Sequence, residues 1–146
     1  MSQPDPTTDG QSNTHFRALT EVECLELLSA TTVGRVAFVN DEGVQLIPLN
    51  FALIDHEIYF RTDPDSILHE LAEGHDDVAF EIDHHGEVSP VGWNVTVKGS
   101  TERVTDPDLN AQVMKSARLR PWVGGTRAAV IHLTRRSVDG RRVRGS

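Results

Sequence analysis

Cysteine, long apolar segments and basic charge are all scarce in this sequence. A single cysteine, Cys24, among 146 residues excludes an internal disulfide framework. No apolar run approaches the roughly 20 residues that a membrane-spanning helix needs. The N-terminus also lacks the basic, apolar and small-residue order of a secretory signal peptide. We therefore expect a cytoplasmic protein that makes no contact with a membrane.

The shortage of basic charge excludes one large class of partner. Fourteen Lys and Arg face twenty-two Asp and Glu, for a net charge of −8. Binding a phosphate backbone requires a basic footprint, so we expect no nucleic-acid partner. The acidity is uneven, because nine of the fourteen basic residues lie within 115–144, and either they are solvated or some of them face an anionic small molecule. The nine are Lys115, Arg118, Arg120, Arg127, Arg135, Arg136, Arg141, Arg142 and Arg144.

Length and composition predict one globular domain. A chain of this size buries about two thirds of its unfolded surface, and 38% hydrophobic with 25% charged residues is ordinary for such a domain. The segment 1–18 starts with a polar stretch that contains two prolines, and we predict that it forms a disordered arm. The domain itself is expected to span 19–146.

Three consecutive apolar runs, 33–39, 44–54 and 57–62, are the centre of the predicted fold. Turn-forming residues separate them, first Asn40-Asp41-Glu42-Gly43 and then Asp55-His56. Each run has strand length and is rich in branched and aromatic residues, which predicts an antiparallel three-stranded meander.

The first strands are apolar on both faces, with Val33, Ala37 and Val39 on one side and Val36 and Phe38 on the other. A sheet with one solvated face alternates more cleanly. We therefore expect both faces to be covered, and we predict a homodimer. The predicted candidates for faces turned away from the barrel interior are Val36, Phe38, Leu49 and Tyr59.

Helices are predicted at three places. Thr20 and Glu23 have the spacing of a capping box at the start of a helix over 20–30, with Val22, Leu25, Leu27 and Leu28 as its apolar stripe and Cys24 as a small packing residue. A second helix is expected to begin with Asp63 as N-cap and Pro64 in its first turn, and to end at Gly74. A third begins at Asp106-Pro107, and its apolar set is Leu109, Val113 and Met114.

Three further strands complete the predicted architecture. Alternating segments occur at 78–83 and 93–104, and an apolar run at 128–133 is followed by an edge or tail at 138–143. Six antiparallel strands with interspersed helices indicate a mainly β fold with flanking helices, a closed Greek-key barrel.

Two local clusters are candidates for binding sites. Thr62 and Ser66 flank the start of the second helix and follow Arg61, so they either cap the helix or hold an anion there. Asp83, His84 and His85 contain metal-ligand types, but no His-rich helix or Cys pair accompanies them. We interpret this second cluster as an exposed loop and predict no metal site.

Three segments resemble the pyridoxamine 5′-phosphate oxidase-like family of flavin-binding split barrels, and more narrowly its small actinobacterial members. They are GRVAFVNDEGVQLIPLNF (34–51), EIYFRTDPDS (57–66) and GWNVTVKGSTERVTDP (92–107). The resemblance covers about 20–133. It implies a homodimer of six-stranded split barrels with flavin mononucleotide (FMN) in two clefts at the dimer interface.

The resemblance also implies which residues contact the cofactor. Trp122 corresponds to a loop that borders the substrate side, and its alternative is a packing residue. Ile67 stands where the family usually has a lysine or arginine that completes the phosphate clamp. The implied ring contacts are Leu46, Ile47, Pro48, Leu49 and Asn50 in the second strand and Trp93 and Asn94 in the fifth, and the implied phosphate contacts are Arg61, Thr62 and Ser66.

The predicted function is a flavin-dependent oxidoreductase that acts on an unidentified small molecule. Its cofactor is FMN or, given Ile67, the related deazaflavin coenzyme. No catalytic side chain is assigned, because the sequence contains no triad or paired-carboxylate motif. Two alternatives stay open: a non-catalytic flavin- or haem-binding split barrel, and a degenerate barrel that serves as a dimeric interaction module.

Overall fold

The computed structural model describes residues 15–86, 91–116, 118–119 and 128–144. Residues 1–14 of the predicted arm lie outside the described residues, as do Arg120, Trp122 and Arg127. The helices are α1 (Glu21–Leu27), a first 3₁₀ helix (Leu28–Ala30), a second 3₁₀ helix (Ile67–Glu73) and α2 (Pro107–Met114). The strands are β1 (His15–Ala18), β2 (Val33–Asn40), β3 (Gly43–Asn50), β4 (Ala52–Ile54), β5 (Glu57–Thr62), β6 (His75–His85), β7 (Val91–Arg103) and β8 (Ala129–Arg144).

The strands form one curled antiparallel sheet, which confirms the predicted mainly β split-barrel fold. Its order is β3-β2-β6-β7-β8-β5-β4, and β1 pairs with β8 beside this path. The described residues contain eight strands instead of six. One addition is β1, whose four residues were predicted to belong to the disordered arm. They form a strand because they pair with the end of β8. The other addition is the short β4.

The predicted run 44–54 is not one strand, which corrects the meander. Phe51 interrupts it, because its N–H donates to the Thr32 carbonyl (3.0 Å) and its fully buried ring packs edge-on against Phe80. The chain before this break pairs with β2, and the chain after it pairs with β5 through a turn at Asp55 and His56. Both turn residues have positive φ, 53° and 64°, as a type I′ turn requires.

The two faces of the β2–β3 hairpin are assigned the opposite way from the prediction. Val36 and Phe38 are 0% and 3% exposed and belong to the main core. Leu49 packs partly against the same core, whereas Tyr59 belongs to a second cluster beneath α2. The outer face carries the alternate residues, which are Val33, Val39, Val44 and Leu46 at 49%, 59%, 77% and 67% exposed.

The first helix begins as its sequence predicts. Thr20 accepts a hydrogen bond from the Glu23 N–H (3.1 Å), and the Glu23 carboxylate accepts one from the Thr20 N–H (2.9 Å). Cys24 and Leu28 are fully buried, and burial raises the pKa of the Cys24 thiol, so this residue packs as predicted. Val22 does not join the stripe and is 64% exposed. Residues that are two positions apart in a helix are separated by about 200° around its axis, so Val22 lies on the side opposite Cys24.

The second predicted helix is a 3₁₀ helix that starts later than expected. Its N-cap is Ser66, whose hydroxyl accepts from the Leu68 N–H (3.1 Å), and not Asp63. It ends as predicted at Gly74, which has a φ of 100°. None of the helices in the described ranges is long and apolar enough to cross a membrane.

The third helix, α2, follows its prediction. Asp106 caps it by accepting from the Asp108 N–H (3.0 Å). Val113 is fully buried, and Leu109 and Met114 pack against the second cluster.

Candidate functional site

The predicted ring contacts lie on β3, an edge strand of the sheet as described. Its one strand partner there is β2, so its other edge offers backbone donors and acceptors. Leu46 is 67% exposed on the outer face, whereas Ile47 and Leu49 pack partly against the core. Pro48 is exposed and has no N–H to donate. This strand can therefore offer polar backbone groups and apolar side chains to a flat ligand.

Arg61 and Thr62 are adjacent on β5 but lie on opposite faces. Thr62 is 1% exposed, and its hydroxyl donates to the Asp63 carbonyl (3.3 Å). Arg61 is half-buried and lies opposite Val130 in the ladder, on the face of the sheet where Tyr59 and Val130 belong to the second cluster. Burial lowers the pKa of its guanidinium, which stays cationic because arginine does not deprotonate in proteins.

Ser66 and Ile67 line a cleft of about 800 Å³ beside the second 3₁₀ helix. The Ser66 hydroxyl already caps that helix, so the capping interpretation holds for this residue. The cleft is acidic, which opposes the binding of a phosphate on this side. Its lining includes the carboxylates of Asp41, Glu42, Asp65, Glu70 and Glu73.

Trp93 and Asn94 lie at the start of β7, in the middle of the sheet. Trp93 packs against the main core and lies 6.1 Å from the His84 ring, centroid to centroid. Both line a cleft of about 490 Å³ together with His85 and Arg141. Within the described residues, no group of three or more His, Cys, Asp or Glu is arranged to hold a metal ion.

The sheet order separates the three groups of predicted cofactor contacts within one chain. The β3 group lies at one edge, the β7 group is three strands further, and Arg61 on β5 is two strands beyond that. The sequence prediction for Trp122 lies outside the described residues.

Arg118 is one of the nine late basic residues that the sequence predicts to be solvated or to face an anion, and the structure gives it a different role within the fold. Its guanidinium donates to the carbonyls of Leu28 (3.0 Å), Ser29 (3.4 Å), Thr31 and Phe51 (3.3 Å). It also lies 4.8 Å from the centre of the Phe51 ring. Burial lowers the pKa of this guanidinium. Its partners are distant in sequence, so no local pattern marks it.

A polar network on β5 and β8 was also missed. His132 Nε2 lies 2.9 Å from a Glu57 oxygen, and Arg135 donates to the other Glu57 oxygen (3.2 Å). The His132 ring stacks on Tyr59, with centroids 4.8 Å apart. Burial and the nearby carboxylates of Glu57 and Asp55 raise the pKa of Tyr59. This network joins β5 to β8. The sequence feature that could have indicated it is His132, a polar residue within an otherwise apolar strand.

Comparison with solved structures identifies relatives with the same fold. The FAD binding protein from Mycobacterium smegmatis is 28% identical, with 86% of this chain and 98% of that chain covered at a TM-score of 0.73. A Corynebacterium glutamicum protein, proposed to be a pyridoxamine 5′-phosphate oxidase, is 25% identical, with 90% and 95% covered and a TM-score of 0.73. A conserved protein of unknown function from Corynebacterium diphtheriae is 27% identical, with 86% and 96% covered and a TM-score of 0.71.

Comparison of the sequence alone leads to one family. No curated protein matches the chain. The sequence model of the family described as pyridoxamine 5′-phosphate oxidase matches residues 20–142, which include every implied cofactor contact. The chain therefore belongs to the pyridoxamine 5′-phosphate oxidase family.

Proposed function

We propose that this chain is a homodimeric oxidoreductase that uses FMN, or the related deazaflavin coenzyme, to oxidise or reduce a small molecule. The observation that carries the proposal is the apolar outer face of the β2–β3 hairpin beside an open strand edge. Val39, Val44 and Leu46 are all more than half exposed there. Contiguous exposed apolar surface marks a site for a ligand or a second subunit.

The residues of β3 fit the ring of a flavin better than the predicted clamp fits its phosphate. The open edge of β3 supplies polar backbone groups for the edge of the ring, and Leu46 supplies an apolar contact. Among the three predicted phosphate contacts, Arg61 is the one that carries a positive charge, whereas Ser66 faces an acidic cleft. We therefore assign the phosphate contact to the Arg61 side of β5.

The chemistry of such an enzyme resides in its cofactor. When bound, a flavin carries the electrons, and the protein supplies placement, electrostatics and exclusion of water. The M. smegmatis relative binds FAD, which supports a flavin ligand for this chain. Trp93 and Asn94 on β7 are then the side chains of a partner subunit that approach the ring.

The test is the ligand content of the purified full chain. We expect flavin or deazaflavin absorbance that unfolding releases, a matching mass, and saturable uptake of the same coenzyme by stripped protein. A colourless protein that takes up neither FMN nor deazaflavin contradicts the proposal. Haem serves as the control ligand, and a Soret shift on haem addition without flavin uptake favours the non-catalytic alternative.

A further inference from the structure

The end of β8 brings two of its arginines beside a third on β1. Arg17 lies directly opposite Arg142, and on the other side of β8 Trp93 lies opposite Arg142 and Val91 opposite Arg144. Directly opposed residues share a face of an antiparallel sheet, as do alternate residues along a strand. The three arginine side chains therefore start from one face, at the end of the sheet where β7 begins and β8 ends.

These arginines enclose a space that no other part of the proposed function uses. Arg17, Val91, Arg142 and Arg144 line a cleft of about 520 Å³, which we call the arginine cleft. Sites for small molecules typically measure about 300–1,000 Å³. Arg142 is half-buried, and its Nε is buried without a hydrogen-bond partner among the described residues. A buried donor of this kind is destabilising unless a ligand or water pairs with it.

The charge in the arginine cleft is poorly balanced. Arg17 makes a bidentate pair with Glu23, with both distances 3.0 Å. None of the ion pairs within the described ranges includes Arg142 or Arg144. Like charges directly opposite each other in a ladder are destabilising. One carboxylate therefore faces three guanidinium groups, in a chain whose net charge is −8.

We propose that the arginine cleft binds the pyrophosphate group of a small molecule. Guanidinium groups match phosphate oxygens with paired, charge-assisted hydrogen bonds. Two linked phosphates offer oxygens to more of the three guanidinium groups than a single phosphate does, and Val91 offers an apolar contact to the rest of the ligand. The cleft is separate from the predicted flavin-phosphate contact, because Arg61 lies opposite Val130, twelve residues before Arg142 on β8. The proposal does not depend on flavin binding.

Calorimetric titration of the full chain at low salt tests the ligand class. The probes are adenosine diphosphate, inorganic pyrophosphate, and citrate as a carboxylate of similar charge. We expect adenosine diphosphate to bind at least as tightly as pyrophosphate, and citrate to bind more weakly than both. Absence of binding by both diphosphates, tighter binding of citrate, or binding of pyrophosphate with adenosine diphosphate excluded would each overturn the proposal.

Paired variants test the position of the site. Arg142→Gln should weaken binding of adenosine diphosphate at least about tenfold, the effect of one lost charge-assisted hydrogen bond. Arg141→Gln removes the same charge one residue away on the opposite face. This variant should weaken the binding of adenosine diphosphate less than about twofold, because the charge of Arg141 is screened from the ligand. Equal losses in the two variants would show a diffuse surface effect and overturn the assignment. If Arg142→Gln does not fold, Arg144→Gln replaces it in the same binding measurement, because Arg144 is exposed and its substitution should not disturb folding.

Thermal unfolding separates ligand binding from a structural role. Without ligand and at low salt, Arg142→Gln should unfold at the same temperature or higher, because repulsion from Arg17 is relieved. Adenosine diphosphate should raise the unfolding temperature of the wild type and not that of the variant. A variant that unfolds at lower temperature and still responds fully to the ligand would identify Arg142 as structural and overturn the proposal.

Discussion

Arginine side chains take three different roles in this protein, and their partners distinguish them. Arg118 is half-buried and donates to four backbone carbonyls, so its charge is used within the fold. Arg136 pairs with Asp77 on the surface, with the Arg136 side chain 54% exposed. Arg142 faces a cleft with two other arginines. The concentration of arginine near the C-terminus therefore does not indicate one shared role, because its members have different partners in the structure.

A pair of substitutions tests the predicted phosphate contact of FMN. Arg61→Ala should weaken FMN binding at least about tenfold, because a charge-assisted hydrogen bond is lost. Riboflavin, which lacks the phosphate, should be affected much less. Ile67→Lys should not tighten FMN binding, because Ile67 lines the acidic cleft and not the Arg61 side of β5. Ile67 also packs partly against the core, so the unfolding free energy of this variant must be measured alongside. Equal losses for both ligands in Arg61→Ala, or tighter binding of FMN by Ile67→Lys, would place the phosphate elsewhere.

The pair between Glu23 and Arg17 predicts a pH dependence of stability. The hydrogen bonds from Arg17 and from the Thr20 N–H lower the pKa of Glu23 from 4.5 to about 2. A carboxylate with a lowered folded-state pKa stabilises the fold above its unfolded pKa, and this contribution is lost as the pH falls through the folded value. Glu23→Gln keeps the capping box and removes the charge.

The unfolding temperatures of wild type and Glu23→Gln should therefore differ near neutral pH and converge between about pH 5 and pH 2. Both side chains are substantially exposed, so added salt should reduce the difference. Glu26→Gln removes a carboxylate from the same helix and is the control. A constant difference across this pH range would contradict the prediction.

At the scale of elements, Arg118 joins parts of the chain that share no strand pairing. It connects the segment after α2 to the end of the first 3₁₀ helix and to the break between β3 and β4. That break turns the chain from one edge of the sheet to the other. The position of β4 and β5 relative to α1 therefore depends on this side chain and on the Phe51 ring beneath it.

Loss of Arg118 should strongly lower the free energy of unfolding. Hydrogen bonds to a charged group are each worth about 1.5–3 kcal/mol, and carbonyls left unpaired in the interior add to the loss. We expect Arg118→Ala to lower the free energy of unfolding by at least about 2 kcal/mol, and Arg118→Lys to recover little of it because lysine lacks the planar fork. Denaturant unfolding measures both.

Arg136→Ala is the matched control, because it removes an arginine from an exposed pair. Such pairs contribute about 0–1 kcal/mol. Equal losses of stability in Arg118→Ala and Arg136→Ala would show that the backbone contacts of Arg118 are not essential.

At the scale of the whole molecule, the outer face of the β2–β3 hairpin is the surface through which we predict that two chains associate. Its four exposed aliphatic residues interrupt an otherwise charged surface, in which Arg35 pairs with Glu81 (3.1 Å) and Asp83 (3.2 Å). An interface with an apolar centre and a charged rim is typical of protein association. We expect the dimer interface to cover this face.

Leu46→Glu should convert the predicted dimer into a monomer, because the substitution buries a charge in the interface. Leu46 is 67% exposed in the single chain, so folding should be unaffected. Val22→Glu, at 64% exposed on α1, is the control and should leave the dimer intact. Light scattering at micromolar concentration measures both. A wild-type monomer, or dissociation by Val22→Glu as well, would contradict the prediction.

The sequence by itself determined the local features of this protein and the class of its fold. The capping box at Thr20, the turn at Asp55 and His56, and the cap at Asp106 were predicted because hydrogen bonds and dihedral preferences within four residues decide them. Their order along the chain, with the apolar runs between them, was sufficient for a mainly β barrel.

Only the tertiary structure decided which surfaces those elements bury. Both faces of β2 are apolar, so a period of two cannot tell Val36 in the core from Val39 outside it, and the pairing with β6 makes that choice. The break at Phe51 and the contacts of Arg118 depend on residues far apart in sequence. The opposition of Arg17 and Arg142 likewise arises only when the first and last strands pair, since register between distant strands is set by packing of the whole sheet.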